Sequence, residues 1–423
     1  MIITDKAQIK CYELIESDLK LPADATFTRS SVAYLSDGTQ VDVNTPRFEQ
    51  GKFGKAIMVE EGTENLLPAN KANCEVAPDS TAYATVTIDT SRKLVGSGSL
   101  KVQWDGDGSV SYSFVQYNIT LTNGNTYTVS GWVYAEESKY LRLSVQESAS
   151  PWRVFNTGLV LIPAKQWTRL SVTFTLPSDW TQPSRIQPNS PRNSTTLSDF
   201  ATIPAWWDAI QVEQKPYATS FTDGTRTAES LTIPTAGVLN PQEGTVEVTY
   251  IPSLDSSKVA LGSAGQDWWW IFGAGSALDT NELRLAYASG SWRFRVGRGS
   301  DTTYSMSFAA GDKISLALAW KQGVDARFFI NGVKVATFTP YNFDVGTIIS
   351  IGYSYLWNRY YCNGLIDDLR ISNRARTDEE ILAAYQSGKP LLADEWTTYK
   401  LDFDDKVRIT AQGQIICNEL IEI

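Results

Sequence analysis

The sequence predicts an all-β chain of two tandem antiparallel β-sandwiches (jelly rolls), with short terminal β segments and one C-terminal-side helix. Three observations predict it. β-Rich segments of five to nine residues recur along the chain, Gly, Asn, Asp and Pro turns separate them, and helical periodicity is confined to one stretch. In chain order, residues 85–89, 99–104, 126–134, 140–146 and 168–176 are strand-like and fall in a first sandwich over 65–222. Segments 244–250, 314–320 and 326–330 belong to a second over 240–390. Asn331-Gly332, between 328–330 and 333–338, is a two-residue hairpin signal. The helix spans Asp378 to about Gln386. Thr377 and Glu380 form a capping box, Ile381, Leu382, Ala384 and Tyr385 give an apolar stripe, and Gly388 marks the stop.

Between these units, 1–64 reads as an N-terminal assembly or linker region, 223–239 as a linker and 391–423 as a C-terminal segment. Residues 177–204 carry five prolines and read as a long irregular excursion, the kind of loop that makes contacts.

A chain of 423 residues with 42% apolar and 20% charged residues is globular. No apolar run is long enough for a membrane span, and the first residues lack the pattern of a secretory signal. The net charge of −10, with no basic run, argues against nucleic-acid binding. Cys11, Cys74, Cys362 and Cys417 are too few and too scattered for a disulfide framework or a paired-cysteine metal site. Histidine is absent, which excludes Ser-His-Asp and Cys-His catalysis and histidine-based zinc sites. Aromatics are plentiful, with 14 Trp, 19 Tyr and 16 Phe, a composition suited to binding by stacking.

The two ends share a repeat. Residues 3–16 and 409–422 agree at nine of fourteen positions. Two readings are open: strands of one domain that diverged after duplication, or an assembly segment. Ile9 and Cys11, and likewise Ile415 and Cys417, lie two apart and would share one face of a strand. The assembly reading implies a homo-oligomer, with a trimer the best guess.

Three stretches resemble known families. Residues 27–34 (FTRSSVAY), 46–48 (PRF), 51–67 (GKFGKAIMVEEGTENLL) and 217–226 (YATSFTDGTR) resemble tail and head-spike fibre proteins of bacteriophages of Gram-positive hosts. Residues 96–102, 127–134, 167–174 and 207–213 resemble jelly-roll carbohydrate-binding modules. That resemblance implies a closing strand whose acid, here Asp208, often sits near a structural calcium. Residues 244–247, Trp320, Asn331-Gly332 and 363–374, followed by the helix, resemble concanavalin A-like, laminin-G-type sandwiches. Catalytic relatives of the last family carry an E-x-D-x-E strand, which this chain lacks.

The glycan-binding candidates are Trp152, Trp180, Trp268, Trp270, Tyr355 and Trp357. On a strand, Trp268 and Trp270 share one face and Trp269 takes the other, so at least one face is core. Residues 353–361 hold four Tyr, one Trp and one Arg, which fits a sugar site or a contact between domains or subunits. Trp104 alternates with Leu100 and Val102 and reads as core. Glu60-Glu61 and Asp404-Asp405 read as solvated turns. The resulting expectation is a non-enzymatic virion protein, with no cofactor beyond a structural calcium, that attaches to host-surface polysaccharide and contacts other virion proteins. The alternative is a bacterial adhesin or an ancillary module of a polysaccharide-degrading enzyme.

Overall fold

The computed structural model describes residues 21–104, 114–189, 204–261, 267–277 and 281–401, together with 408–409 and 415–416. The chain is nearly all β, in antiparallel sheets. Two α-helices occur among the described residues: the short Ala69–Ala72 and the expected Asp378–Gln386. The latter has its capping box in place, with the Thr377 side chain and the Glu380 side chain each satisfying the other's backbone N–H.

The first sandwich packs two sheets. One runs Val154–Asn156, Lys139–Gln146, Ser184–Asn189, Phe114–Ile119 and Ser80–Ala82, and Val160–Ile162 also pairs with Lys139–Gln146. The other runs Thr168–Thr175, Thr126–Ala135, Ala205–Glu213, Ser99–Trp104 and Ala84–Asp89. Inward residues alternate with outward ones, so Leu141, Leu143 and Val145 meet Val129, Val133, Trp104 and Trp207 in one core. The excursion after Pro177 is not wholly irregular: Ser184–Asn189 is a strand in the middle of its sheet.

The second sandwich draws on more of the chain than 240–390. Its seven-stranded sheet runs Thr26–Thr28, Ser230–Pro234, Ile348–Ile351, Trp268–Ala277, Asn281–Ala288, Ser291–Gly297 and Thr302–Ser305. Its eight-stranded sheet is centred on Glu243–Pro252 and Gly364–Ser372. Lys55–Val59 and Thr397–Leu401 both pair with Gly364–Ser372. The segment read as a linker at 223–239 thus supplies a strand, and the region before residue 64 supplies others. The reason lies in their apolar residues: Phe27, Ile57, Val59, Leu231 and Ile233 are all buried in the second core. The hairpin at Asn331-Gly332 forms as read, with Ile330 opposite Val333 and both turn residues at positive φ.

A buried ion cluster joins the two sandwiches. Glu229 accepts from Arg29 Nη1 at 2.9 Å, from Arg47 Nε and Nη2 at 2.8 and 2.7 Å, and from the Glu60 backbone N–H at 3.1 Å. Glu60 in turn takes Arg47 Nη2 at 2.9 Å, Arg226 Nη2 at 3.1 Å and the Ser220 N–H at 2.9 Å. Glu61 accepts from Lys215 Nζ at 2.5 Å, from the Tyr217 hydroxyl and from Asn363 Nδ2 at 3.1 Å. Glu213 accepts from the hydroxyls of Thr63 and Thr219. Glu60 and Glu61 are therefore buried and paired, not solvated as their local sequence suggests. Asn65 adds an uncharged stitch. Its Nδ2 donates to the carbonyls of Ile210 and Thr222, and its Oδ1 accepts from the N–H groups of Leu67 and Val212.

Burial alone would raise the Glu60 carboxyl. The charges of Arg226 and Arg47 and the Ser220 N–H outweigh it and hold the group down at about 2. Its folded value lies below its ordinary 4.5, so its contribution is full above about pH 4.5 and is lost as the pH falls towards 2. Acid unfolding followed by circular dichroism should show this loss in that window. Glu229→Ala, which leaves Arg29 buried without a carboxylate and Arg47 with Glu60 alone, should cost about 3–5 kcal/mol in denaturant titrations at neutral pH. A cost below 1 kcal/mol would mean that the cluster is not holding the junction.

Candidate functional site

The outward face of the sheet around Lys139–Gln146 is polar but not charged in the ordinary surface manner. Alternation puts Tyr140, Arg142, Ser144 and Gln146 outward on one strand. Register then sets Gln187 beside Ser144, Arg185 beside Gln146, and Gln116 and Asn118 on the next strand. The three glutamines form a ladder. Gln187 Nε2 donates to Gln146 Oε1 at 3.0 Å and to Gln116 Oε1 at 3.3 Å, and Gln116 Nε2 donates to Asn118 Oδ1 at 3.3 Å. All three glutamines are buried. Cross-bonded amides in this position have fixed rotamers, a prerequisite for holding sugar hydroxyls.

Aromatic side chains rim this face. Trp152 is 48% exposed and lies under the Arg185 guanidinium, 5.1 Å from its ring centroid. Arg185 is itself tied to the Ser148 carbonyl at 2.9 Å. Tyr140 is half exposed and stands opposite the exposed Leu161. Flat faces beside a fixed row of amide donors and acceptors suit a polysaccharide chain laid across the strands.

A second aromatic cluster occupies the outward face of the seven-stranded sheet. Trp268 and Trp270 do point to the same side, with Trp269 buried in the core behind them. The 353–361 loop folds back over them, and the Trp270 backbone N–H donates to the Tyr360 carbonyl at 3.1 Å. Trp270 is thereby covered, packed with Ala286 and Tyr360, while Trp268 and Trp357 remain partly open. Gly273 is needed here, because a Cβ would lie 2.2 Å from the Trp270 indole nitrogen. Beyond it, Gly275, Glu282, Ser350, Ser354 and Tyr355 line a shallow recess with Trp270.

Of the six aromatic candidates, Trp152 and Tyr355 are exposed and Trp268 and Trp357 partly so. Trp180 is not at a surface: it stacks on Phe155 at 5.4 Å and donates Nε1–H to Ser184 at 3.1 Å. It belongs to the first core. Sequence reasoning missed the glutamine ladder, Arg142 and Arg185. Their signal was available in the alternation Tyr-x-Arg-x-Ser-x-Gln of residues 140–146, whose polar side lacks the Lys and Glu of an ordinary solvated face.

Ile9, Cys11 and Cys417 lie outside the described residues, and Ile415 falls in Ile415–Ile416, which pairs with Arg408–Ile409. Asp404-Asp405 also lies outside them. Asp208 is fully buried. Its Oδ2 accepts the N–H groups of Leu94 and Val95 at 2.7 and 3.0 Å, and its Oδ1 accepts that of Ala209 at 2.7 Å. Donors surround both oxygens, and no cluster of three or more metal-ligating side chains occurs among the described residues. These residues do not fit a calcium ion.

Two family matches cover successive parts of the chain. Residues 60–188 match the family described as "Carbohydrate binding domain", and residues 223–382 match the "Concanavalin A-like lectin/glucanases superfamily". The first sandwich is thus similar to carbohydrate-binding modules and the second to concanavalin A-like domains. Among solved structures, it is similar to the xylan-binding CBM22-1 domain of Paenibacillus barcinonensis Xyn10C, at 11% identity over 38% of this chain and 99% of that one, with a TM-score of 0.28. Domain 4 of AbnA, an extracellular arabinanase of Geobacillus stearothermophilus, is similar at 15% identity over 39% and 80%, with a TM-score of 0.29. The tailspike protein 2 enzymatically active domain of bacteriophage CBA120 is similar at 15% identity, covering 42% of this chain and 29% of that one, with a TM-score of 0.33. No curated protein matches the sequence.

Burial pushes the Asp208 carboxyl up to about 7, against the pull of the Val95, Leu94 and Ala209 N–H groups. The folded state therefore keeps a proton that the unfolded chain releases near its ordinary 3.8, and stability should fall as the pH rises from about 4 to about 7. Asp208→Asn should flatten that slope in melting curves taken across the range. Added calcium should leave the melting temperature of the native chain unchanged, whereas a rise that Asp208→Asn abolishes would restore the calcium assignment.

Proposed function

We propose that this chain is a non-catalytic polysaccharide-binding protein, and that its first sandwich takes the glycan on the outward face of the sheet around Lys139–Gln146. The observation that carries this is the buried, cross-bonded ladder of Gln116, Gln146 and Gln187 beside Arg142, Arg185 and the exposed Trp152. A solvated structural face has no need of neutral amides locked in one arrangement. The family match over 60–188 supports the same reading. Sugar hydroxyls would bond to the amides and to Arg142, with sugar C–H faces against Trp152 and Tyr140.

The finer reading is attachment of a phage particle to host-surface polysaccharide. Its support is the fibre-type sequence at 27–34, 46–48, 51–67 and 217–226. Displayed in several copies on a virion, as a homo-oligomer with other virion proteins, weak sites would combine into strong adhesion. The alternative, an ancillary module of a polysaccharide-degrading enzyme, uses the same face, and gene context separates the two.

Affinity electrophoresis and calorimetry of the full chain against xylan, arabinan and host cell-wall glycans test the site. Gln187→Ala, Arg142→Ala and Trp152→Ala should each weaken binding roughly 10-fold or more, at about 1–2 kcal/mol per lost contact, with melting temperatures close to that of the native chain. Retained affinity in all three folded variants would remove this face as the site.

A further inference from the structure

The second sandwich carries its own charged aromatic site. On the outward face of its seven-stranded sheet, Arg284 and Arg293 both lie over the Trp268 ring, at 5.0 and 4.8 Å from its centroid. Arg359, on the 353–361 loop, lies 4.9 Å from the Trp357 centroid and 4.5 Å from that of Tyr360. Tyr360 bridges the two tryptophans, 6.2 Å from Trp268 and 5.7 Å from Trp357. Rings and guanidinium groups thus alternate across a half-open surface.

Arg284 and Arg295 are both held by Asp301 and Glu282, whereas Arg293 lies 3.6 Å from Asp301 and is itself partly open. Arg359 has no ion pair or side-chain hydrogen bond among the described residues. Stacked guanidinium groups keep their planar N–H edges for oxyanions, and arginine matches carboxylate and phosphate in this geometry.

We infer that this face binds an anionic polysaccharide, with Trp268 and Trp357 stacking on sugar rings while Arg293 and Arg359 meet the carboxylate or phosphate between them. The inference concerns a second site and ligand class. It shares with the proposal above only the reading of the chain as glycan-binding. The first face sets cross-bonded amides beside Arg142 and Arg185, and the second sets guanidinium groups directly on aromatic rings, so the two are told apart by separate substitutions.

The test is binding of the full chain to polygalacturonate (carboxylate), to a ribitol-phosphate teichoic acid (phosphate) and to neutral xylan, at two salt concentrations. Binding to at least one of the two anionic polymers is expected, weakening as salt rises. Arg359→Ala, Arg293→Ala and Trp268→Ala should each reduce it at least 5-fold and leave neutral-glycan binding as it was. Arg359→Lys should recover part of the loss. Gln187→Ala should spare anionic binding, so the two sites fail separately. Absence of binding to both anionic polymers, or anionic binding indifferent to Arg359→Ala and Arg293→Ala in variants that melt normally, would overturn the inference.

Discussion

The structure depends on a set of charges that water does not reach. Arg29, Arg47 and Arg226 pair with Glu60 and Glu229, and Lys215 with Glu61, between the two sandwiches. Removing so many charges from water is costly, and only mutual pairing together with the added N–H and hydroxyl donors offsets it. The arrangement holds together as a whole or not at all, because each carboxylate has partners from distant parts of the chain. Glu60 bonds across 169 positions to Glu229 through its backbone, and Glu61 across 302 to Asn363. Its consequence is a fixed path of chain: out of the second sandwich at Lys55–Val59, through the first, and back into the second at Ser230–Pro234.

The stretches 27–34, 46–48, 51–67 and 217–226, far apart in sequence, meet in this cluster: Arg29, Arg47, Glu60, Glu61, Tyr217 and Arg226 come from them, and each is a member of the buried network. The two proposed glycan faces lie elsewhere, on the outward surfaces of the sheets.

Much of the fold was legible because strand alternation, the Asn331-Gly332 turn and the Thr377–Glu380 box are local signals that tertiary contacts reinforce. The split of Trp268, Trp269 and Trp270 between two faces also followed from period two alone. Other features were illegible for definite reasons. Glu60-Glu61 looks like a surface turn because none of its cationic partners is near in sequence. Trp180 follows a Pro-Ser-Asp turn that suggests exposure, yet Phe155 and Ser184 close around it. The glutamine ladder needs three strands to exist, and each strand contributes only one member. The burial of Trp270 depends on a loop about ninety residues away in sequence.

The first sandwich's face sets cross-bonded amides beside Arg142, Arg185 and Trp152, and the second sandwich's face sets guanidinium groups against Trp268, Trp357 and Tyr360. The central claim is that the amide-lined face takes polysaccharide, and the most direct measurement is hydrogen–deuterium exchange of the full chain with and without a saturating neutral oligosaccharide that it binds. Protection concentrated on Phe114–Ile119, Lys139–Gln146 and Ser184–Asn189 is the predicted result. Protection confined to the opposite sheet of that sandwich, or to its edge turns, would contradict the account.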